Sequence, residues 1–283
     1  MAAVSSTVHA EPIRIAGSDL LAPALCDVIE ESARAEGWEV EFDLHGSYLA
    51  TREVSQGGAS AALVLRDPTV ARAEAEEGNK LEHVIIGHLV ALVVVAESNP
   101  LDSITLSGLA RLFGANAVDR VSRWGDVGDL GESRMRNVAP AVVNETGDIA
   151  IGLFQSRALQ GAALGRQVER LENPAQLVER VLGNRDTIGI VGTGFTDPRA
   201  RLLAVAAAQD EPAVAPSPDA IAAGDYPLAL PLELVFPAGA AESVRALARV
   251  LLASDATRAL EVSGFRPLPP EARERVLASF PAR

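Results

Sequence analysis

The feature that most constrains this chain is a strand, a tight turn and a helix packed into its first legible stretch, "RIAGSDLLAPALCDVIEE" (14–31). Leu21, Leu25, Val28 and Ile29 fall at helical spacing and predict one buried face over 20–35. Ser18 or Asp19 is a natural N-cap, and Pro23 is early enough to be tolerated near the first turn. The same alternation continues along the chain. Strand signals occur at "WEVEFDLHG" (38–46), "ASAALVLRD" (59–67), "APAVV", "TIGIVG" and "LALPLELVF" (228–236). Helix signals occur after Ser47, over 68–79, 105–114, "DIAIGLFQSRAL", "PAQLVERVLG", 240–253, 255–263 and 270–280. Alternation of this kind predicts an α/β fold with parallel sheets.

Length and charge narrow the function classes. At 283 residues the chain has room for two domains or one large one. The longest apolar run, "HVIIGHLVALVVVAES" (83–98), falls short of the ~20 residues of a membrane span and reads as two consecutive buried strands. A net charge of −13 argues against nucleic-acid or anionic-membrane partners, which need a positive footprint. A small anion held by backbone amides is still compatible with it. Cys26 is the only cysteine, so no internal disulfide can form, and its place on the first helix reads as a small core residue. The opening "MAAVSSTVHAEP" lacks the basic and apolar regions of a signal peptide. "TVHA" before Glu11 has the small-residue pattern of a cleavage site, which suits residues 1–10 as a disordered leader remnant; a cytoplasmic start fits too.

Several pieces, in order, resemble one family. "RIAGSDLLAPAL" resembles an opening strand and Gly-Ser-Thr helix start, and "FDLHGSYLA" a second Gly-Ser turn. "ALVVVAESNPLDSITLSGLARLFG" with "RWGDVG" resembles a strand, Asn-Pro, helix and Trp-x-x-Gly passage. "DTIGIVG", "YPLALPLELVF" and "SGFRPLP" resemble an Ile-Gly-Tyr-Val strand, a returning hinge strand and a closing Gly-Tyr-x-Pro-Leu. The ordered set is similar to the type II periplasmic solute-binding proteins, in the branch that serves phosphate importers, over nearly all of the chain.

The resemblance implies two α/β lobes joined by two crossing strands, with a ligand cleft between them and hinge closure over it. Lobe 1 would take 11–93 plus 228–283 and lobe 2 would take 94–227, with crossovers near 90–97 and 226–234. The Pro/Ala-rich segment "QDEPAVAPSPDAIAAGDYP" then lies inside lobe 2. Ser18, Asp19 and Leu20 would offer main-chain amides to an oxyanion, and Gly46, Ser47 and Tyr48 would repeat the device at the second helix, because helix starts expose unpaired N–H groups. The plainer alternative is that Ser18 and Ser47 only cap their helices. Asp19 could accept a hydrogen bond from a protonated oxyanion, receive a donor-bearing organic ligand, or serve as a first-turn acid. Arg66 is the cation placed nearest the expected cleft, with an ion pair to Asp67 or another surface carboxylate as its alternative role.

The departures from the family pattern bear on the ligand. Where phosphate-binding relatives carry an acidic or Ser residue before the basic position after the third strand, this chain has Leu65 and Arg66. Their second-lobe Arg and Ser-Gly-Thr helix start align on Asn144 and Asp148-Ile149-Ala150, or, if Thr146-Gly147 is the turn, on Asn144 and Glu145 beside it. The Arg is missing in both alignments, and a carboxylate about 4 Å from a dianion costs of order 1–4 kcal/mol. Phosphate is therefore expected to bind poorly, and a ligand with donors for Glu145 or Asp148 to bind better.

Other chemistries are weaker. His45 reads as a loop hydrogen-bonder and His83 and His88 as structural; four scattered histidines without cysteine partners give no metal spacing. No nucleophile elbow, phosphate loop, His-Glu-x-x-His or dinucleotide glycine pattern is present, so no enzyme and no cofactor are expected. The expected role is an extracytoplasmic, periplasmic-type binding component with a small-molecule ligand and an ABC permease as partner. A degenerate family member serving as a receptor or assembly subunit is the alternative.

Overall fold

A computed structural model of the chain describes residues 12–21, 23–67, 81–117, 119–128, 131–144, 148–193, 195 and 197–280. The chain divides into two compact units, one taking residues up to 86, 232–263 and those from 270, the other 87–231 and 264–269. The division falls inside two strands, at 86/87 and 231/232, where the sequence placed it near 93/94 and 227/228. The Pro/Ala-rich segment 209–227 belongs to the second unit.

Unit 1 opens with β1 (Ile13–Gly17), α1 (Pro23–Glu36), β2 (Val40–Asp43), α2 (Ser47–Ser55), β3 (Ala61–Leu65) and the long β4 (Leu81–Val90), whose last residues enter unit 2. Unit 2 continues through β5 (Leu92–Ala96), β6 (Ser103–Thr105), α3 (Leu106–Phe113), β7 (Ala139–Val143), α4 (Ala150–Ala158) and β8 (Glu169–Leu171). It ends with α5 (Pro174–Gly183), β9 (Thr187–Val191), β10 (Ala200–Leu202), β11 (Ala204–Ala206) and α6 (Pro218–Ala222). β12 (Ala229–Pro237) carries the chain back to unit 1 for α7 (Glu242–Leu251) and α8 (Ser254–Val262). β13 (Phe265–Pro267) pairs with the end of β4 in unit 2, and α9 (Pro270–Leu277) closes unit 1.

The two larger sheets are mixed, which corrects the expectation of parallel ones, while the small β6–β11 sheet is parallel. β2, β1 and β3 are mutually parallel, as are β8, β7 and β9, because helices connect them by crossovers. β12 joins β3 antiparallel, and β5, which follows β4 after Ala91 alone, joins β9 antiparallel. Strands that carry the chain between units have no crossover helix to turn them parallel.

Packing in each unit sets the position of the helix starts. In unit 1, α2 lays Ala50 and Val54 on Ala16, Ala62, Val64 and Val235. Small side chains on the sheet let the helix approach closely, so its first residues lie over the ends of β1 and β3. In unit 2, α4 buries Ile151, Leu153 and Phe154, and Phe154 meets Phe113 edge-on with ring centroids 5.2 Å apart. A Cβ on Gly189 of β9 would stand 2.9 Å from Val94 and 3.0 Å from Leu177, so glycine there admits α5 against the sheet.

The first helix begins later than its spacing predicts. α1 starts at Pro23, where a missing N–H loses no helical bond. Ser18 is not in its first turn: its hydroxyl and its carbonyl accept from the amides of Leu20 and Leu21, at 3.2 Å each, and close a separate turn. The two apolar runs of 83–98 are strands β4 and β5, and among the described residues no helix is long and apolar enough to cross a membrane. Cys26 is half-buried on α1, where burial first and then Glu30 and Asp27 push its thiol up, so it is a poor nucleophile. The acidic helix expected over 68–79 and the leader remnant 1–10 lie outside the described residues.

Candidate functional site

The carboxyl ends of parallel strands are where open α/β sheets leave room for ligands. In unit 1 this edge is knit together by four bonds. The Gly46 amide donates to the Gly17 carbonyl at 2.9 Å, and the Ser18 amide to the Leu63 carbonyl at 2.9 Å. The Leu65 amide donates to the Ser47 hydroxyl at 3.0 Å, and the Thr51 hydroxyl donates to the Ser47 carbonyl at 3.2 Å. Ser18, Gly46, Ser47 and Leu65 are thereby brought to one edge, although 47 residues separate the first from the last.

The second helix start is genuine. α2 begins at Ser47, its N-cap is Gly46, and no side chain caps it. Gly46 has φ 111° and ψ 149°, a region that only glycine occupies without strain. Ser47 is therefore not a cap: its hydroxyl ties α2 to the end of β3. Ser18 is correspondingly corrected from helix start to turn. Its amide is already used by β3, and it is 3% exposed, whereas Asp19, Leu20 and Tyr48 are exposed at the same edge.

Arg66 follows β3 but is buried among its own partners. Its Nη1 reaches Nδ1 of His83 at 2.5 Å and Oε2 of Glu233 at 3.4 Å, while His83 Nδ1 lies 3.1 Å from the same carboxylate oxygen. Arg66 and Glu233 are 7% and 8% exposed. Arg66 pairs with a buried carboxylate, Glu233, which 167 residues of separation kept out of any local pattern.

Unit 2 presents a different arrangement at α4. The Asp148 carboxylate accepts from the Ala150 amide at 2.9 Å through Oδ1 and from the Gly192 amide at 2.5 Å through Oδ2. It thus supplies its own anion to the start of that helix and ties it to the turn after β9. Burial raises the Asp148 carboxyl above its ordinary value, and the two amide bonds oppose part of that rise. Gly192 is required by the contact, since a Cβ there would stand 2.5 Å from Oδ1. Asn144 sits at the end of β7, donating its amide to the Leu171 carbonyl at 2.8 Å and accepting from the Asp148 amide at 3.2 Å. Glu145 and Thr146 lie outside the described residues.

His45 hydrogen-bonds in the loop before Gly46, with Asp43 on one side and Glu53 on the other. His88 is buried in β4.

Comparison with known proteins places this architecture. No family model matches the chain. Protein SphX of Synechococcus elongatus is 31% identical over 186 residues, 64% of this chain, and the match spans 54% of that protein, about half its length. A possible phosphate binding protein from Planctomyces limnophilus superposes with a TM-score of 0.73 at 15% identity, over 95% of this chain and 97% of its own. PstS from Borrelia burgdorferi gives 0.71 at 16% identity, over 92% and 100%. An ABC-type phosphate transport receptor from Vibrio cholerae gives 0.61 at 20% identity, over 91% and 100%. These likenesses establish that the chain has the α/β fold of the two-lobed periplasmic phosphate-binding proteins.

Proposed function

We propose that the chain is an extracytoplasmic solute-binding protein related to the binding components of phosphate importers, with an ABC permease as its partner. Its ligand is a small polar molecule or oxyanion held in unit 1 at the α2 start, Gly46–Tyr48, with the exposed Asp19 at the same edge. One observation carries the reading: an uncapped helix start, Gly46–Ser47, is bonded to the ends of β1 and β3, where such sheets take ligands. The proteins of like fold are named for phosphate binding and phosphate transport, which supports the same class and a binding role.

Phosphate itself fits poorly. In unit 2, Asp148 already fills the start of α4, and in unit 1 the Arg66 charge is spent on Glu233. A missing charge-assisted hydrogen bond is worth about 1.5–3 kcal/mol, or roughly one to two decades of affinity. The same two observations favour the second reading, a receptor or assembly subunit that has lost phosphate.

Calorimetry with inorganic phosphate, beside a thermal-shift screen of oxyanions and small donor-bearing solutes, tests both. The first reading expects weak phosphate binding and a stabilising solute whose effect disappears in Gly46→Val. Sub-micromolar phosphate affinity overturns the argument from Asp148. A screen without any stabilising solute, with no permease or ATPase genes beside this one, decides for the second reading.

A further inference from the structure

The outward face of unit 1 beside α2 holds a group of side chains that the proposed ligand site does not use. Among the described residues, Asp43, His45 and Glu53 place one ligand atom each within 4.8 Å of the others. His45 Nδ1 is 2.8 Å from Asp43 Oδ1, and His45 Nε2 is 3.4 Å from Glu53 Oε1. We propose that these three side chains form a binding site for a divalent transition metal of the zinc class.

The backbone explains why they meet. Successive side chains alternate along an extended segment, and Leu44 turns inward, close enough that a Cβ on Gly17 would stand 2.8 Å from it. Asp43 and His45 therefore both point outward. α2 buries Ala50, Thr51 and Val54 against the sheet, which leaves Glu53 on its flank facing the imidazole. Among the described residues β2 is the edge strand of its sheet, and no further strand of theirs covers the cluster. Three separate segments, a strand end, a loop and a helix, supply one donor each.

The donor chemistry points to a borderline metal. One imidazole and two carboxylates suit zinc and its neighbours; a site for magnesium or calcium would be built from oxygen alone. With the imidazole neutral, the cluster carries two negative charges in close contact, which a divalent ion would neutralise. Zinc bonds of about 2.0–2.2 Å set donor atoms roughly 3.3–3.5 Å apart in a tetrahedron. An imidazole gives a metal one nitrogen: Nε2 of His45 already stands at that separation from Glu53, while Asp43, which meets Nδ1, has to swing toward the same nitrogen. That movement is open to side chains that are 43% and 55% exposed and whose donor atoms gather within 4.8 Å. Three protein donors leave a position open to water or to a ligand atom. A metal here would staple the end of β2 to the second turn of α2, across the Gly46–Ser47 turn.

The experiment uses the whole chain, free of any affinity tag and stripped with chelator. Zinc chloride is titrated by calorimetry, with melting followed in parallel, and cobalt(II) serves as the spectroscopic probe of a mixed nitrogen and oxygen donor set. One saturable zinc site is expected, with a raised melting temperature and no comparable response to magnesium. His45→Ala and Glu53→Gln should each weaken zinc binding roughly tenfold or more, and the exposed side chains make little change in metal-free melting. Asp43→Asn gives a second test of the donor set if either variant is poorly folded. Absence of saturable zinc binding overturns the proposal and leaves His45 as a hydrogen-bonded side chain between two carboxylates. Zinc binding that survives His45→Ala unchanged overturns it equally, since the ion then sits elsewhere.

Discussion

The start of α2 in unit 1 and the start of α4 in unit 2 are the same device finished in two ways. α2 has a glycine cap and no side-chain acceptor, and its serine is turned aside to hold β3. α4 has a carboxylate bonded to the amides of Ala150 and Gly192. A helix start attracts anions through its amides and dipole, so the first remains able to take one and the second already has. The nearby charges follow the same division: Arg66 is met by side chains from two other strands, Asp148 by backbone amides. The fold supplies helix starts, and single side chains decide whether they are open.

The largest expected effect tests whether Arg66 is a structural charge. Arg66→Met should destabilise the protein by about 3–5 kcal/mol, because it strands the buried Glu233. Pairing it with Glu233→Gln should recover much of that loss, as measured by urea unfolding. If Arg66→Met is nearly silent in stability but changes the response to a bound solute, the guanidinium belongs to the ligand and the contrast between the units breaks down.

Asp148→Ala comes next. It removes both carboxylate bonds, at a cost of about 2–4 kcal/mol, in line with a strong helix cap and a second charge-assisted bond. It should also make the start of α4 resemble that of α2, and phosphate affinity should rise in calorimetry. A stable Asp148→Ala protein with unchanged phosphate affinity would mean that α4 was never an anion site.

How much of this the residues disclosed depends on distance along the chain. The strand–turn–helix of 14–31, the paired apolar runs of 83–98 and the glycine before Ser47 are local patterns, and each appears in the fold. Three-residue strands such as β6, β8 and β13 are too short to show a period. The onset of α1 is not legible in 14–31 because Ser18 can close a turn as readily as cap a helix. The partners that decide the charges, Glu233 for Arg66 and Gly192 for Asp148, lie 167 and 44 residues away, and no spacing rule reaches them.

Gly46→Ala sharpens the unit 1 side of the comparison. At φ 111° and ψ 149° an alanine is strained although nothing lies near its Cβ, so a loss of roughly 1–3 kcal/mol is expected from backbone conformation alone. The same measurement with Gly128→Ala, where a Cβ also meets open space and φ is not positive, gives the reference. Equal effects at the two positions would show that the Gly46 turn relaxes and does not hold α2 in place.

The smallest effect is the pH dependence that Asp148 should impose. Its carboxyl is raised in the folded protein, by burial first, with the Ala150 and Gly192 amides pulling the other way. The folded state therefore holds this proton at pH values where the unfolded chain has already released it. Stability from this group is fully present below the ordinary aspartate value and is lost as pH rises through the raised folded one. The other carboxylates obscure this in a simple profile, but they cancel when wild type is compared with Asp148→Asn across about pH 3.5–7. The stability of wild type minus that of the variant should fall as pH rises. A difference that rises instead would mean that the two amide bonds outweigh burial, and Asp148 would then be a better anchored internal anion than its surroundings imply.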